Sequence, residues 1–100
     1  MQYHKLVRDK IPAVIKKSGS KAVYHIAKSS EYSRKLKEKL TEEVIEFLKS
    51  EEIEELADIV EVVEALAVLK KSTLKKVLAL KQKKRRERGG FTKRVILEES

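Results

Sequence analysis

The sequence has no cysteine, one proline and three glycines, and it shows no internal repeat and no low-complexity linker. Without cysteine the chain can form neither a disulfide framework nor a thiolate metal site. The absence of a GxxxxGK[ST] motif excludes a P-loop. No apolar run is long enough to span a bilayer, and the N-terminal residues lack the apolar core of a signal peptide. We therefore expect one cytoplasmic domain over residues 1–100, with no membrane partner.

The charge of the chain is large and unevenly distributed. The formal net charge is +8. Residues 42–64 carry ten of the sixteen acidic residues and one base, Lys49, whereas residues 70–88 carry ten bases and one acid, Glu87. A basic segment is typical of nucleic-acid-binding proteins. An acidic segment followed by a basic one also fits a site in which metal ions and basic side chains share a polyphosphate.

Helical periodicity and capping residues predict three long helices, with β-prone segments on either side of them. Serines precede the long helices, and a glycine pair ends the last one. The predicted elements are a short helix at 9–17, long helices at about 31–49, 51–70 and 73–88, and extended or strand segments at 22–27 and 91–97.

The fold class that these elements predict is mainly all-α, an antiparallel bundle of three long helices with short terminal extended or β segments. The second long helix is apolar over nearly half its circumference, which is more than one small partner helix would cover. A chain of this length also has a modest core. We therefore expect oligomerisation, as a homodimer or homotetramer, to complete the bundle.

Two pairs of carboxylates, each spaced three residues apart, lie on the first two long helices. Residues at this spacing in a helix are neighbours one turn apart, so each pair can present two acids to one point. Glu43 and Glu55 fall within the apolar arcs of their helices, whereas Glu42 points away. Most such pairs are solvated helix faces, but matched acids in one apolar seam need a cation. The pattern therefore predicts a site for a hard divalent cation formed by Glu43, Glu46, Glu55 and Asp58.

Basic side chains continue the apolar stripe of the third long helix. Lys81, Arg85 and Arg88 follow the apolar residues of that stripe at helical spacing, and Lys84 lies beside them. The packed face is thus expected to become cationic toward the C-terminal end of the helix. Such side chains could hold the phosphates of a substrate bound at the metal.

The acid pairs and both ends of the chain resemble a known family. The pattern EExxE at residues 42–46, followed by ExxD at residues 55–58, resembles the signature of the all-α nucleoside triphosphate pyrophosphohydrolases. These are the MazG-like enzymes, with phosphoribosyl-ATP pyrophosphohydrolase and the dimeric dUTPases as relatives. The segments KLVRDKIP (5–12) and ERGGFTKRVIL (87–97) are similar to the ends of a small MazG-like subgroup, so the resemblance covers most of the chain.

The resemblance implies hydrolysis of a nucleoside triphosphate between its α- and β-phosphates, giving nucleoside monophosphate and pyrophosphate and depending on Mg²⁺ or Mn²⁺. It also implies a site in a dimeric or tetrameric helix bundle, to which a partner subunit contributes. By position the resemblance implies that the metal ligands are Glu43, Glu46, Glu55 and Asp58, and that the catalytic acids are Glu42 and Glu43. It implies phosphate contacts from Lys84, Arg88 and Arg8. The helical stripe of the third long helix adds Lys81 and Arg85 to these contacts.

Three other functions stay open at this point. Phosphoribosyl-ATP pyrophosphohydrolase activity is the nearest, although the terminal motifs favour the MazG-like subgroup. A non-catalytic basic helical module would bind nucleotides or nucleic acid through phosphates, but it leaves the acids in the apolar seam unexplained. We therefore do not expect nucleic acid as the partner. An inactive member of the family would bind nucleotides tightly without turning them over.

Overall fold

The computed structural model describes residues 4–100, and this part of the chain forms four α-helices and no β-strand. The mainly α-helical fold class is therefore confirmed. The strands predicted as one possibility at 22–27 and at 91–97 are wrong, because a strand needs a neighbour for its backbone groups and these segments pair with no other segment of residues 4–100. The helices are α1 (Ile11–Lys17), α2 (Ser29–Ser50), α3 (Ile53–Leu69) and α4 (Leu74–Arg88).

A two-residue link joins α2 to α3 and makes them an antiparallel hairpin. Glu51 ends α2 in the left-handed conformation, with φ +57°, and its N–H donates to the carbonyl of Phe47 over 2.7 Å. The N–H of Glu52 donates to Ser50 Oγ over 3.2 Å, and α3 begins at the next residue. The link fixes which faces of the two helices meet, because it leaves little freedom to rotate one about the other.

The fourth helix is attached to this hairpin by its first turn. Thr73 Oγ1 accepts a hydrogen bond from the N–H of Lys76 over 3.1 Å and caps α4, a role that the sequence pattern gave to Ser72. Among the described residues α4 packs against α3 and against no other helix. From Leu78 onward every residue is exposed. The described chain is thus a hairpin with an appended helix, and not a closed bundle of three helices.

The core of the described chain is small. Its buried apolar residues are Leu36, Val62 and Ala67. The radius of gyration is 17.5 Å, whereas a compact domain of this length has about 13 Å. The extents of 55 × 32 × 23 Å show the same elongation. None of the helices in residues 4–100 is both long and apolar enough to cross a membrane.

Candidate metal centre

The α2–α3 hairpin brings acidic side chains from both helices to one place. Glu43 lies two turns before the end of α2, and Glu55 and Asp58 lie in the first two turns of α3. One carboxylate oxygen from each of these three residues lies within 4.8 Å of the others. Because divalent cations bind oxygen at about 2.0–2.6 Å, two oxygens on opposite sides of one ion lie about 4–5 Å apart. The separation of these three carboxylate oxygens therefore fits the ligands of a single ion.

Glu46, the fourth predicted ligand, lies at the edge of this group. Its residue is exposed, and its carboxylate is not among the three oxygens that lie within 4.8 Å. Its charge nevertheless acts on Glu55. The structure therefore brings three of the four predicted ligands together and leaves the fourth beside them, on the solvent side.

The clustering of acids is visible in the protonation of Glu55. Partial removal from water raises the pKa of the Glu55 carboxyl, and the neighbouring charges of Asp58, Glu43 and Glu46 raise it further. A hydrogen bond with Asp58 acts in the same direction. Bringing a divalent cation to this point would remove the repulsion that raises this pKa.

Glu43 is the least exposed of these acids, and a lysine on its own helix compensates its charge. The Glu43 side chain is 12% exposed, as its position in the apolar arc predicts. Lys39, one turn earlier, is 18% exposed, and its Nζ lies 3.3 Å from Glu43 Oε1. The spacing of four residues on α2 could have revealed this pair, which the sequence reasoning missed.

Glu42 does not belong to the acid group, and it is not simply solvated either. Its Oε1 lies 2.9 Å from Lys5 Nζ, and its Oε2 lies 3.2 Å from Lys39 Nζ. Burial alone would raise the pKa of Glu42, but the hydrogen bonds from Lys5 and Lys39 outweigh it, so the pKa is lowered. Both lysines therefore keep this carboxylate ionised and make it a weaker base.

Arg8 reaches the acid group from the N-terminal segment. Its Nη2 donates to Asp58 Oδ1 over 2.7 Å. The preceding residues are held on α2 by the Lys5–Glu42 pair and by Lys35 Nζ, which donates to the carbonyl of His4 over 2.7 Å. The N-terminal segment thus lies along the helical hairpin and places a guanidinium at the acids.

The basic side chains of α4 are not brought to the acids of the same chain. Four of them were predicted to hold phosphates, and each of these four belongs to an exposed residue and forms no ion pair within the described residues, whereas Lys83 lies 4.0 Å from Glu87. The predicted continuation of a packed face is therefore wrong for this chain alone, because α4 leaves the hairpin after its first turn. The four residues are Lys81, Lys84, Arg85 and Arg88.

Comparison with known proteins gave no significant match: no family model fits the chain, and no curated protein sequence and no solved structure is similar to it. The interpretation of the site therefore depends on its chemistry. Its potential ligands are all carboxylate oxygens, which suit hard cations such as Mg²⁺ and Mn²⁺. Partly buried acids that repel one another fit such an ion well.

Proposed function

We propose that the protein is a nucleoside triphosphate pyrophosphohydrolase of the MazG-like kind, which depends on Mg²⁺ or Mn²⁺ and releases nucleoside monophosphate and pyrophosphate. The observation that carries this proposal is the group of carboxylate oxygens from Glu43, Glu55 and Asp58 within 4.8 Å of one another. These residues occupy positions of the two acid motifs, and they come from two helices that a two-residue link holds in register.

In the proposed reaction Glu43, Glu55 and Asp58 hold the ion. The ion, when bound, would neutralise phosphate oxygens and lower the pKa of an attacking water. Lys39 fixes the carboxylate of Glu43 from the buried side. Glu46 is exposed beside the group, which suits either a fourth ligand or the acceptor of the water's proton. Glu42 suits that second role less well, since two lysines lower its basicity.

The surface of the chain supports a homo-oligomer as the working form. The accessible surface is 9428 Å², whereas a compact monomer of this mass exposes about 5,800 Å². The excess per chain is several times the roughly 800 Å² that one partner buries in a standard interface. A dimer or tetramer would cover this surface, and α4 of one copy could then supply its basic side chains to the acid group of another.

The first experiment measures pyrophosphate release from a panel of canonical and modified nucleoside triphosphates, with and without Mg²⁺. We expect Mg²⁺-dependent release that falls at least about 100-fold in Glu43→Ala and in Glu55→Ala. Glu54→Ala is the matched control, because Glu54 is an exposed acid in the same turn of α3. Wild-type protein that is folded and turns over no nucleotide would contradict the proposal. Phosphoribosyl-ATP in the same panel tests the nearest other substrate.

The exposed basic residues of α4 favour one other function, a nucleotide- or nucleic-acid-binding module. A helix whose exposed cations outnumber its single acid, Glu87, could bind phosphates by releasing counterions. This alternative predicts binding that weakens steeply with salt and needs no divalent ion. Titration of a labelled single strand with and without Mg²⁺, at two salt concentrations, distinguishes it from the enzyme.

A further inference from the structure

Arg8 is an exposed cation that is paired with the acid group. Its guanidinium donates to Oδ1 of Asp58 over 2.7 Å, and the Asp58 carboxyl also shares a hydrogen bond with Glu55. The Arg8 side chain is 57% exposed and that of Asp58 is 38% exposed. Arg8 therefore occupies one carboxylate of the acid group at a position that is open to solvent.

The two basic side chains that touch the acid group differ in how firmly they are held. Lys39 is 18% exposed and lies on the same helix as Glu43, so it can move little. Arg8 extends from a non-helical segment, and its pair with Asp58 is largely in water. Exposed ion pairs such as Arg8–Asp58 contribute only about 0–1 kcal/mol to stability. A divalent cation can therefore displace Arg8 from the acid group, but not Lys39.

Two further contacts tether the N-terminal segment to α2 if the guanidinium leaves Asp58. Lys5 binds Glu42 on α2, and Lys35 of α2 holds the carbonyl of His4. These contacts do not involve the acid group of Glu43, Glu55 and Asp58. A released Arg8 side chain would therefore remain within its own length of the ion, where an arginine is well suited to hold a phosphate through two N–H groups.

We propose that Arg8 exchanges partners during the reaction cycle: it neutralises Asp58 before the divalent ion binds, and it holds a phosphate of the substrate once the ion has taken Asp58. This inference rests on the proposed function and deepens it. It gives the arginine of the N-terminal segment two successive ligands, a carboxylate of the protein and a phosphate of the nucleotide.

The exchange predicts effects of opposite sign on two ligands. Without Arg8 the ion no longer competes with a guanidinium, so the affinity for Mn²⁺ should rise in Arg8→Ala by roughly three- to five-fold. The affinity of the Mn²⁺-loaded protein for inorganic pyrophosphate should fall by a similar factor, because one phosphate contact is lost. Electron paramagnetic resonance of free Mn²⁺ measures the first quantity, and calorimetric titration measures the second.

The matched control is Lys10→Ala, which removes the same charge from an exposed residue two positions away that forms no ion pair in the described chain. This variant changes the net charge without removing a contact to the acid group, so both affinities should change by no more than about two-fold. Arg8→Lys keeps the charge but not the planar fork, and it should restore only part of the pyrophosphate affinity. Thermal unfolding by circular dichroism checks that each variant is folded.

Three results would overturn the exchange. If Arg8→Ala lowers the affinity for Mn²⁺, Arg8 orients Asp58 as a permanent partner of a metal ligand. If Arg8→Ala and Lys10→Ala change both affinities equally, Arg8 acts only through its charge. If pyrophosphate affinity does not fall, the phosphate is held elsewhere. Wild-type protein that binds no Mn²⁺ would overturn the proposed function as well, whereas the first three results leave that function intact.

Discussion

At the scale of single residues, the acid group destabilises the folded chain through the repulsion of its carboxylates, which a bound cation would remove. The pKa of Glu55 is raised because the carboxyl is partly removed from water and lies near Asp58 and Glu43. A carboxyl whose pKa is higher in the folded state than in the unfolded state destabilises the fold at any pH at which it is ionised. The penalty is lost as the pH falls through the raised value and the proton binds.

This sign gives a prediction for Glu55→Gln. With a chelator present at pH 7, the variant should melt at a higher temperature than the wild type, because the repulsion is gone. With Mg²⁺ the order should reverse, because only the wild type gains a bound ion. Lowering the pH toward the raised pKa of Glu55 should also weaken Mg²⁺ binding to the wild type, since a proton and the ion compete for one carboxylate.

Thermal unfolding followed by circular dichroism, with Mg²⁺ and with chelator, measures the effect of Glu55→Gln. The control is Glu54→Gln, the same change on the exposed side of the same helical turn. This control should not raise the melting temperature in chelator. If Glu55→Gln and Glu54→Gln change the melting temperature in chelator by the same amount, repulsion among the acids does not measurably destabilise the fold.

At the scale of elements, the sequence predicted the helices well and their contacts less well. Periodicity located the long helices within a few residues, and the apolar arcs placed Glu43 and Glu55 in a common seam, as the structure shows. Patterns within one helix cannot show what a distant segment brings to it. The family resemblance gave Arg8 as a phosphate contact and did not predict its bond to Asp58, and the Lys5–Glu42 pair had no signal in the helical pattern.

The link between α2 and α3 has a strained residue whose relief can be measured. Glu51 has φ +57°, a conformation that costs a residue with a Cβ roughly 1 kcal/mol and costs glycine little. Glu51→Gly should therefore stabilise the protein by about 0.5–1 kcal/mol in urea unfolding, despite the greater freedom of glycine in the unfolded chain. Glu52→Gly, whose φ is −81°, is the control and should destabilise it. An equal loss of stability in both variants would contradict the argument.

At the scale of the whole molecule, the chain on its own leaves too much apolar surface exposed. Val68 is 62% exposed and Leu80 is 59% exposed, in addition to the apolar residues at 91–97. The breadth of the apolar face of the second long helix predicted this excess, whereas no pattern in the sequence specifies how copies are arranged. A helical pattern shows that a face is buried without showing whether it is buried within one chain or between two copies. The pattern therefore could not show that the basic residues of α4 are exposed in the single chain.

Oligomerisation can be tested with single charges on this surface. Sedimentation equilibrium of the wild type should give a mass at least twice that of the 11.5 kDa chain. Val68→Asp and Leu80→Asp should each shift the equilibrium toward the monomer by roughly ten-fold or more, because a charge is costly in an apolar interface. Lys83→Asp, on an exposed polar position of α4, should not. A wild-type protein that is monomeric at every concentration measured would refute the interface. It would also exclude that α4 of a second copy supplies basic side chains to the acid group.

The candidate ligands are also close together along the chain, since Glu43 to Asp58 spans sixteen residues. An ion that binds them therefore closes only a short loop and can act before distant parts of the chain meet. Such an ion would increase the rate at which the α2–α3 hairpin forms, in addition to slowing the unfolding of the native protein. In refolding experiments Mg²⁺ should therefore increase the folding rate, because the ion would stabilise the α2–α3 hairpin in the folding nucleus.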